Sequence, residues 1–247
     1  MNERQNEIFN MLSIHPRVTV RELALTLGVS EVTIRKDLSA LEQEGLLKRT
    51  HGGAAQVASN SIETRIMFRY EEKKKIAVEA VKLVADGETI LIEAGSTNAV
   101  LAKELANKNK VHIITNSLYI TEILKDNKNV KTTLLGGELQ SEAEAFVGPL
   151  TKLCLSQVAV DKAFVGMDGF SEKLGFTCSD FLRAEVGRNM SKRAVKTIIL
   201  AESSKFDNIG VTSIVELSQI HTVITDKEIA EDKLNILYKN NINTILV

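Results

Sequence analysis

Val32, Thr33, Arg35 and Lys36 fall within the nine residues from Ser30 to Leu38. They bring two cations, a hydroxyl and a small apolar side chain. Such groups meet DNA phosphates, base edges and thymine methyls. A second set of polar residues is spread along the chain: Glu93-Ala94-Gly95-Ser96-Thr97, Thr115-Asn116-Ser117, Val165-Gly166-Met167-Asp168-Gly169 and Ala201-Glu202-Ser203-Ser204-Lys205-Phe206. Glycine beside two hydroxyls at a helix start suits a phosphate, and Lys205 adds a cation. A Gly-Ser-Thr turn standing alone is more often an ordinary helix cap.

The first set needs a helix. Ser30 is a suitable N-cap, and Ile34, Leu38 and Leu41 repeat at i, i+4 and i+7 as a buried stripe. Val32, Lys36 and Ser39 then point the opposite way, with Thr33 and Arg35 on the flanks. Upstream, Ile8, Met11 and Leu12 form one helical stripe. Thr19 and Glu22 form a capping box ahead of Leu23, Ala24 and Leu27, and Gly28 makes the turn into the Ser30–Glu44 helix. Gly45 closes that helix. Leu46–Thr50 and Ala54–Val57 flank His51-Gly52-Gly53 and read as a hairpin, a wing carrying Arg49 and His51 towards a phosphate or minor groove. One basic amphipathic helix alone is usually a solvated surface helix. Three helices in this order, with a glycine turn and a Gly-Gly wing, point to a winged helix-turn-helix. Asp37 lies at the edge of the stripe and reads as a brace for a nearby arginine.

The second set needs strand ends. Thr89–Ile92, Val111–Thr115, Val130–Leu135, Ala159–Val165, Thr197–Ala201, His221–Thr225 and Ile242–Val247 are short β-rich runs. Helical patterns separate several of them, including Leu118–Lys125, Val186–Ala194 and Glu228–Asn240. This alternation predicts an α/β domain with a largely parallel sheet, whose ligands sit beyond the carboxyl ends of the strands.

At 247 residues the chain has room for more than one domain. A net charge of −1 argues against a protein that coats nucleic acid at large. The first 57 residues carry seven cations and seven anions, so a single module should bind DNA weakly and an oligomer should supply affinity. No run of about 18 apolar residues is present and the start has no apolar signal core, so the expected location is cytoplasmic, with no membrane partner. Cys154 and Cys178 lack zinc-site spacing and read as reduced cysteines; no metal is expected.

The chain resembles the DeoR family of bacterial transcriptional regulators. Arg4, Ile8 and Leu12, then Ser30-x-x-Thr33-Ile34-Arg35-Lys36-Asp37-Leu38, match its N-terminal signature, and Leu41-x-x-x-Gly45-Leu46-Leu47-x-Arg49-x-His51-Gly52-Gly53-Ala54 continues it. Lys73-x-x-Ile76-Ala77, Gly95-Ser96-Thr97, Thr115-Asn116, Gly136-Gly137, Gly148, Phe164-Val165-Gly166 and Ser203-Ser204-Lys205-Phe206 resemble its effector domain. The likeness implies a DNA-binding domain over 1–57, a linker over 58–75, and over 76–247 an effector and oligomerisation domain similar in fold to ribose-5-phosphate isomerase. It implies DNA contacts from Ser30, Val32, Thr33, Arg35, Lys36, Arg49 and His51. It also implies a phosphorylated sugar or polyol effector, with Gly95, Ser96, Thr97 and Lys205 on the phosphate. Glu93, Asn116 and Asp168 would face the sugar, with Lys73 in the same site. Glu93, Glu202, Gln140 and the Arg183–Arg188 run depart from the family pattern. The implied function is a repressor of a carbohydrate operon, without enzymatic activity or a resident cofactor. The alternative is a sugar-phosphate isomerase with a DNA-binding appendage; Val165, where those isomerases carry an aspartate, weighs against it. A DNA-binding architectural protein without a ligand leaves the polar strand ends unexplained.

Overall fold

The computed structural model describes residues 3–14, 17–43, 46–56, 61–108 and 110–247. The chain divides into two compact units, Met1–Tyr70 and Glu71–Val247. Among the described residues, no helix is long and apolar enough to cross a membrane.

The first unit runs α1 (Glu3–Ile14), β1 (Arg17–Thr19), α2 (Val20–Leu27), α3 (Glu31–Gln43), β2 (Leu47–Thr50), β3 (Gly53–Gln56) and α4 (Ile62–Met67). Its ends are set locally. The Thr19 hydroxyl accepts from the Glu22 amide at 3.2 Å, and the Glu22 carboxylate accepts from the Thr19 amide at 2.8 Å. Gly28 closes α2 at φ 64°, ψ 31°, the left-handed conformation that glycine adopts without a Cβ penalty. The Ser30 hydroxyl caps α3 by accepting from the Thr33 amide at 3.2 Å. Ile8, Leu12, Leu23, Ile34, Leu38 and Leu41 fill one core. The wing is a three-stranded antiparallel sheet in the order β1-β3-β2. Its β1 is a three-residue strand that the sequence reading left out. The expected helix end at Glu44–Gly45 and the wing residue Val57 lie outside the described residues.

The expected linker takes a different form. Residues 57–60 lie outside the described residues, but Ser61 caps α4, and Met67 and Phe68 pack against the first unit's core. Residues Tyr70–Val81 form α5, which buries Lys73, Ile76, Ala77 and Ala80. The polar, charged residues of 61–75 belong to two helices, with Lys73 turned inward.

The second unit continues with β4 (Thr89–Ile92), α6 (Ser96–Lys108), β5 (Val111–Thr115), α7 (Leu118–Leu124), β6 (Val130–Leu134), β7 (Glu138–Gln140), β8 (Ala145–Val147), α8 (Pro149–Ser156) and β9 (Val160–Val165). Then come β10 (Gly169–Ser171), β11 (Gly175–Cys178), α9 (Phe181–Arg193), β12 (Ala194–Leu200), a 3-10 turn (Ser203–Asp207), β13 (Thr212–Val215), β14 (Thr222–Thr225), α10 (Glu231–Lys239) and β15 (Asn243–Leu246). Seven strands form one parallel sheet in the order β15-β14-β12-β9-β4-β5-β6. The chain fills one side through β5 and β6, then returns to β9 and fills the other. Strand order therefore reverses between β4 and β9, the position in such sheets where a crevice opens beyond the strand ends. The stretch after β9 contains β10 and β11, which pair with β13 in a small antiparallel sheet. Helix α9 starts five residues earlier than its apolar spacing suggested, because Asp180 caps it through the Arg183 amide at 2.8 Å.

Candidate nucleic-acid interface and effector site

Helix α3 buries Ile34, Asp37, Leu38 and Leu41 and turns Val32, Arg35 and Lys36 to solvent. Its outer face lines an open depression of ≈ 420 Å³ with Val32, Arg35, Lys36, Ser39, Ala40 and Gln43. Asp37 is braced as expected: Arg4 Nε donates to it at 2.6 Å, with Arg4 Nη2 at 3.3 Å and Gln5 Nε2 at 3.4 Å. This ties α1 to α3 and fixes the outward face. Thr33 is half-buried, with its hydroxyl 2.9 Å from that of Ser30. Arg35 pairs with Glu31 one turn back at 2.7 Å. Arg49 is not loose at the wing tip. Its guanidinium donates to Ser39 Oγ at 3.0 Å and its amide to Glu42 at 2.9 Å, which fastens the wing to α3. His51 is exposed at the wing turn.

In the second unit Glu93 ends β4 at the reversal point. Its Oε2 accepts from the Gly166 amide at the end of β9, at 2.8 Å. Helix α9 passes close by at Gly187, where a Cβ would lie 3.2 Å from Glu93 Oε1 and 2.7 Å from Ile214 Cγ2. Burial pushes the Glu93 carboxyl up to about 8, against the opposing pull of the Gly166 amide and the Arg183 charge. Near neutral pH Glu93 is therefore largely protonated and can donate.

Asp168 behaves in the opposite way. Burial works to raise it, but the Ser179 hydroxyl at 2.6 Å and amide at 2.9 Å, with the charges of Arg183 and Lys205, hold it down at about 2. Arg183 Nη2 lies 3.4 Å from Asp168 Oδ2. The buried Cys178 thiol donates to the same oxygen at 3.4 Å and is pushed up to about 12, chiefly by burial. Lys205 thus comes within electrostatic reach of Asp168. The turn that carries it is anchored by Phe206, packed on Phe170 at 5.3 Å, and by the Ser203 amide donating to Asp226 at 2.7 Å.

Gly95 and Ser96 are partly exposed and Thr97 is buried at the start of α6, whose first-turn amides have no intrahelical acceptor. Two expected ligand residues are fully occupied within the protein. Asn116 accepts from the Ala94 amide and donates to the Phe146 carbonyl, each at 2.9 Å, so it shapes the β4 loop. Lys73 is 1% exposed and its ammonium lies 2.6 Å from Glu202, itself 2% exposed. It anchors α5 beneath the Lys205 turn. Asn98, Ser179 and Arg183 were missed. Asn98 donates to the carbonyls of Glu93 at 2.9 Å and Phe164 at 3.3 Å, stitching β4 to β9. Only the departure of Arg183 from the family pattern marked any of the three in the sequence.

The described site offers a protonated carboxyl, an ionised carboxylate, two cations and a helix start. It is equipped to bind a polar anion. It is poorly equipped for proton abstraction, since Glu93 holds its proton and Asp168 is surrounded by donors.

Two family models match this chain: a DeoR-like helix-turn-helix domain over residues 4–60 and a DeoR C-terminal sensor domain over residues 69–227. The chain belongs to the DeoR family. DeoR proteins are transcriptional regulators, and this one carries both a DNA-binding and a sensor domain; it is not an isomerase. The HTH-type transcriptional regulator GolR of Listeria innocua is 37% identical over 231 residues, 92% of this chain and 91% of that protein. The lactose phosphotransferase system repressor of Streptococcus mutans is 35% identical over 244 residues, 96% of each chain. Among solved structures, ribose 5-phosphate isomerase A of Methanocaldococcus jannaschii is 24% identical, with a TM-score of 0.42 over 56% of this chain and 54% of that one. A likeness at that score carries no argument, so the fold class of this DeoR protein stands on its own strand order.

Proposed function

We propose that this DeoR protein represses a carbohydrate operon in the cytoplasm and is released by a phosphorylated sugar or polyol. The observation that carries the effector half is the reversal of strand order between β4 and β9. There the Gly95–Thr97 helix start, the Lys205 turn and the Glu93 and Asp168 carboxyls converge on one end of the sheet. The helix start and Lys205 would hold the phosphate, Asp168 would accept from sugar hydroxyls, and Glu93 would donate to one. The names of the lactose phosphotransferase system repressors, and of the putative aga operon repressor of Escherichia coli, support a carbohydrate operon.

The test is a thermal-shift panel of sugar and polyol phosphates with inorganic phosphate as control, repeated with operator DNA by fluorescence anisotropy. An effector at 100 times its Kd stabilises the protein by ~2.7 kcal/mol, a shift of several degrees. A panel with no shift and no release of DNA overturns the reading. Lys205→Ala should abolish release while leaving operator affinity near wild type; retained release at the same effector concentration would misplace the phosphate.

For the DNA half, α3 enters the major groove. Val32, Thr33, Arg35 and Lys36 reach bases and phosphates, while Ser30, Arg49 and His51 assist at the edges. Arg35→Ala should weaken operator binding by ~1–3 kcal/mol and relax specificity at one base pair. An equal loss for every sequence, read by anisotropy on a set of single-base variants, would make Arg35 a phosphate contact. Balanced charge in the winged unit requires paired copies on paired half-sites.

A further inference from the structure

We infer that the outer face of α8 and the first turn of α9 is the surface through which two copies of this chain associate. Four large apolar side chains lie open there: Phe181 at 69%, Leu150 at 63%, Leu153 at 60% and Leu182 at 37% exposure. They belong to one face. Leu150 and Leu153 are one turn apart on α8, with Thr151 and Leu155 buried on its opposite side. Lys152 on α8 pairs with Glu185 on α9 at 2.8 Å, and Glu185 lies one turn beyond Phe181 and Leu182. The ion pair therefore lies between the two apolar stretches and sets the two helices side by side.

Its size indicates what it fits. The four side chains present roughly 400 Å² of apolar surface, within the ~300–600 Å² range of the largest patch on a typical monomer, a patch that is often functional. One side of a standard interface buries about 800 Å², a little over half of it apolar. The patch thus supplies the apolar share of one such side. Its chemistry indicates a second copy. A Lys152–Glu185 pair inside an apolar rim is self-complementary under a two-fold axis, because each copy can set a cation against the other's carboxylate. The winged unit, with seven cations against seven anions in its first 57 residues, needs a second copy on the DNA.

This assignment rests on the reading that paired copies bind the operator, and the experiment separates the two. Light scattering on the full chain at 1–50 µM should give at least twice the 27.2 kDa chain mass. Leu153→Glu with Phe181→Glu should give the monomer mass, with the wild-type circular dichroism spectrum and with operator affinity reduced at least tenfold. Val195→Glu, at a site 79% exposed at the start of β12, beyond the far end of α9, should keep the wild-type mass. A monomeric wild type overturns the paired-copy reading. An oligomeric wild type whose mass survives Leu153→Glu with Phe181→Glu, or falls with Val195→Glu, overturns the surface alone. If the double variant loses its fold, Leu150→Ser with Leu182→Ser serves instead, with the same expected loss of mass and the same overturning result.

Discussion

Lys73→Met is expected to lower the melting temperature of the second unit by about 6–20 °C. The ammonium of Lys73 and the carboxylate of Glu202 lie 2.6 Å apart, both at most 2% exposed. Removing one partner leaves a buried charge without compensation, which costs about 3–5 kcal/mol. For a unit of this size each kcal/mol moves the midpoint by ~2–4 °C. The double variant Lys73→Met with Glu202→Leu should recover most of the loss, because two apolar groups of similar volume can replace a buried pair nearly without penalty. Calorimetry of the three proteins decides it. A single variant melting within 2 °C of wild type would show that the pair is not the anchor of α5.

The second large effect concerns pH. In the folded chain the Glu93 carboxyl lies at about 8, above its ordinary 4.5. A group whose folded pKa is raised contributes fully below the unfolded value, and its contribution is lost as pH rises through the folded one. Wild-type stability should therefore fall between pH 4.5 and 8 by an amount on the order of 4–5 kcal/mol from this group. Asp168 works in the other direction, from an ordinary 3.8 down to about 2, so its contribution is complete above pH 4 and disappears in acid. The window from pH 5 to pH 9 lies above Asp168, and comparison with Glu93→Gln cancels His112, whose pKa burial and Lys131 lower from 6.5. In urea unfolding, the stability of wild type relative to Glu93→Gln should fall as pH rises across that window. Parallel curves would mean that Glu93 ionises freely. Effector affinity should weaken above pH 8, where Glu93 loses the proton it would donate.

The winged unit was legible because its signals are local. A cap and its partner lie three residues apart, as Thr19 and Glu22 do, and a turn glycine such as Gly28 stands next to the helix it ends. Even the tie between Asp37 and Arg4 follows from where Asp37 falls on a helical wheel. The parallel sheet was legible for a similar reason, since buried strands announce themselves as apolar runs. Strands β10, β11 and β13 were not. They are three or four residues long, and β11 pairs with β13 across more than thirty residues, so no local pattern marks them. The site divides along the same line. Polar strand ends gave Glu93, Asp168 and Lys205. The partners that set their charge, Ser179 and Arg183, arrive from α9 and the turn before it. Lys73 was brought to the site by the family likeness alone, and its ion-pair partner Glu202 lies more than a hundred residues away, so no local pattern shows it buried.

The pairing of Arg35 with Glu31, and of Arg49 with Ser39, bears on how the protein searches a genome. Random duplex offers mainly phosphates, and affinity for them comes from cations that displace counterions. Here a phosphate must first compete with Glu31 for Arg35. A guanine edge offers two acceptors to the same guanidinium and is the stronger competitor. The partners already present therefore weaken binding to the wrong sequence more than to the right one. If Arg35 reads a base, as proposed, little of the protein is held on the millions of non-operator sites, and a small number of copies suffices to keep the operator filled.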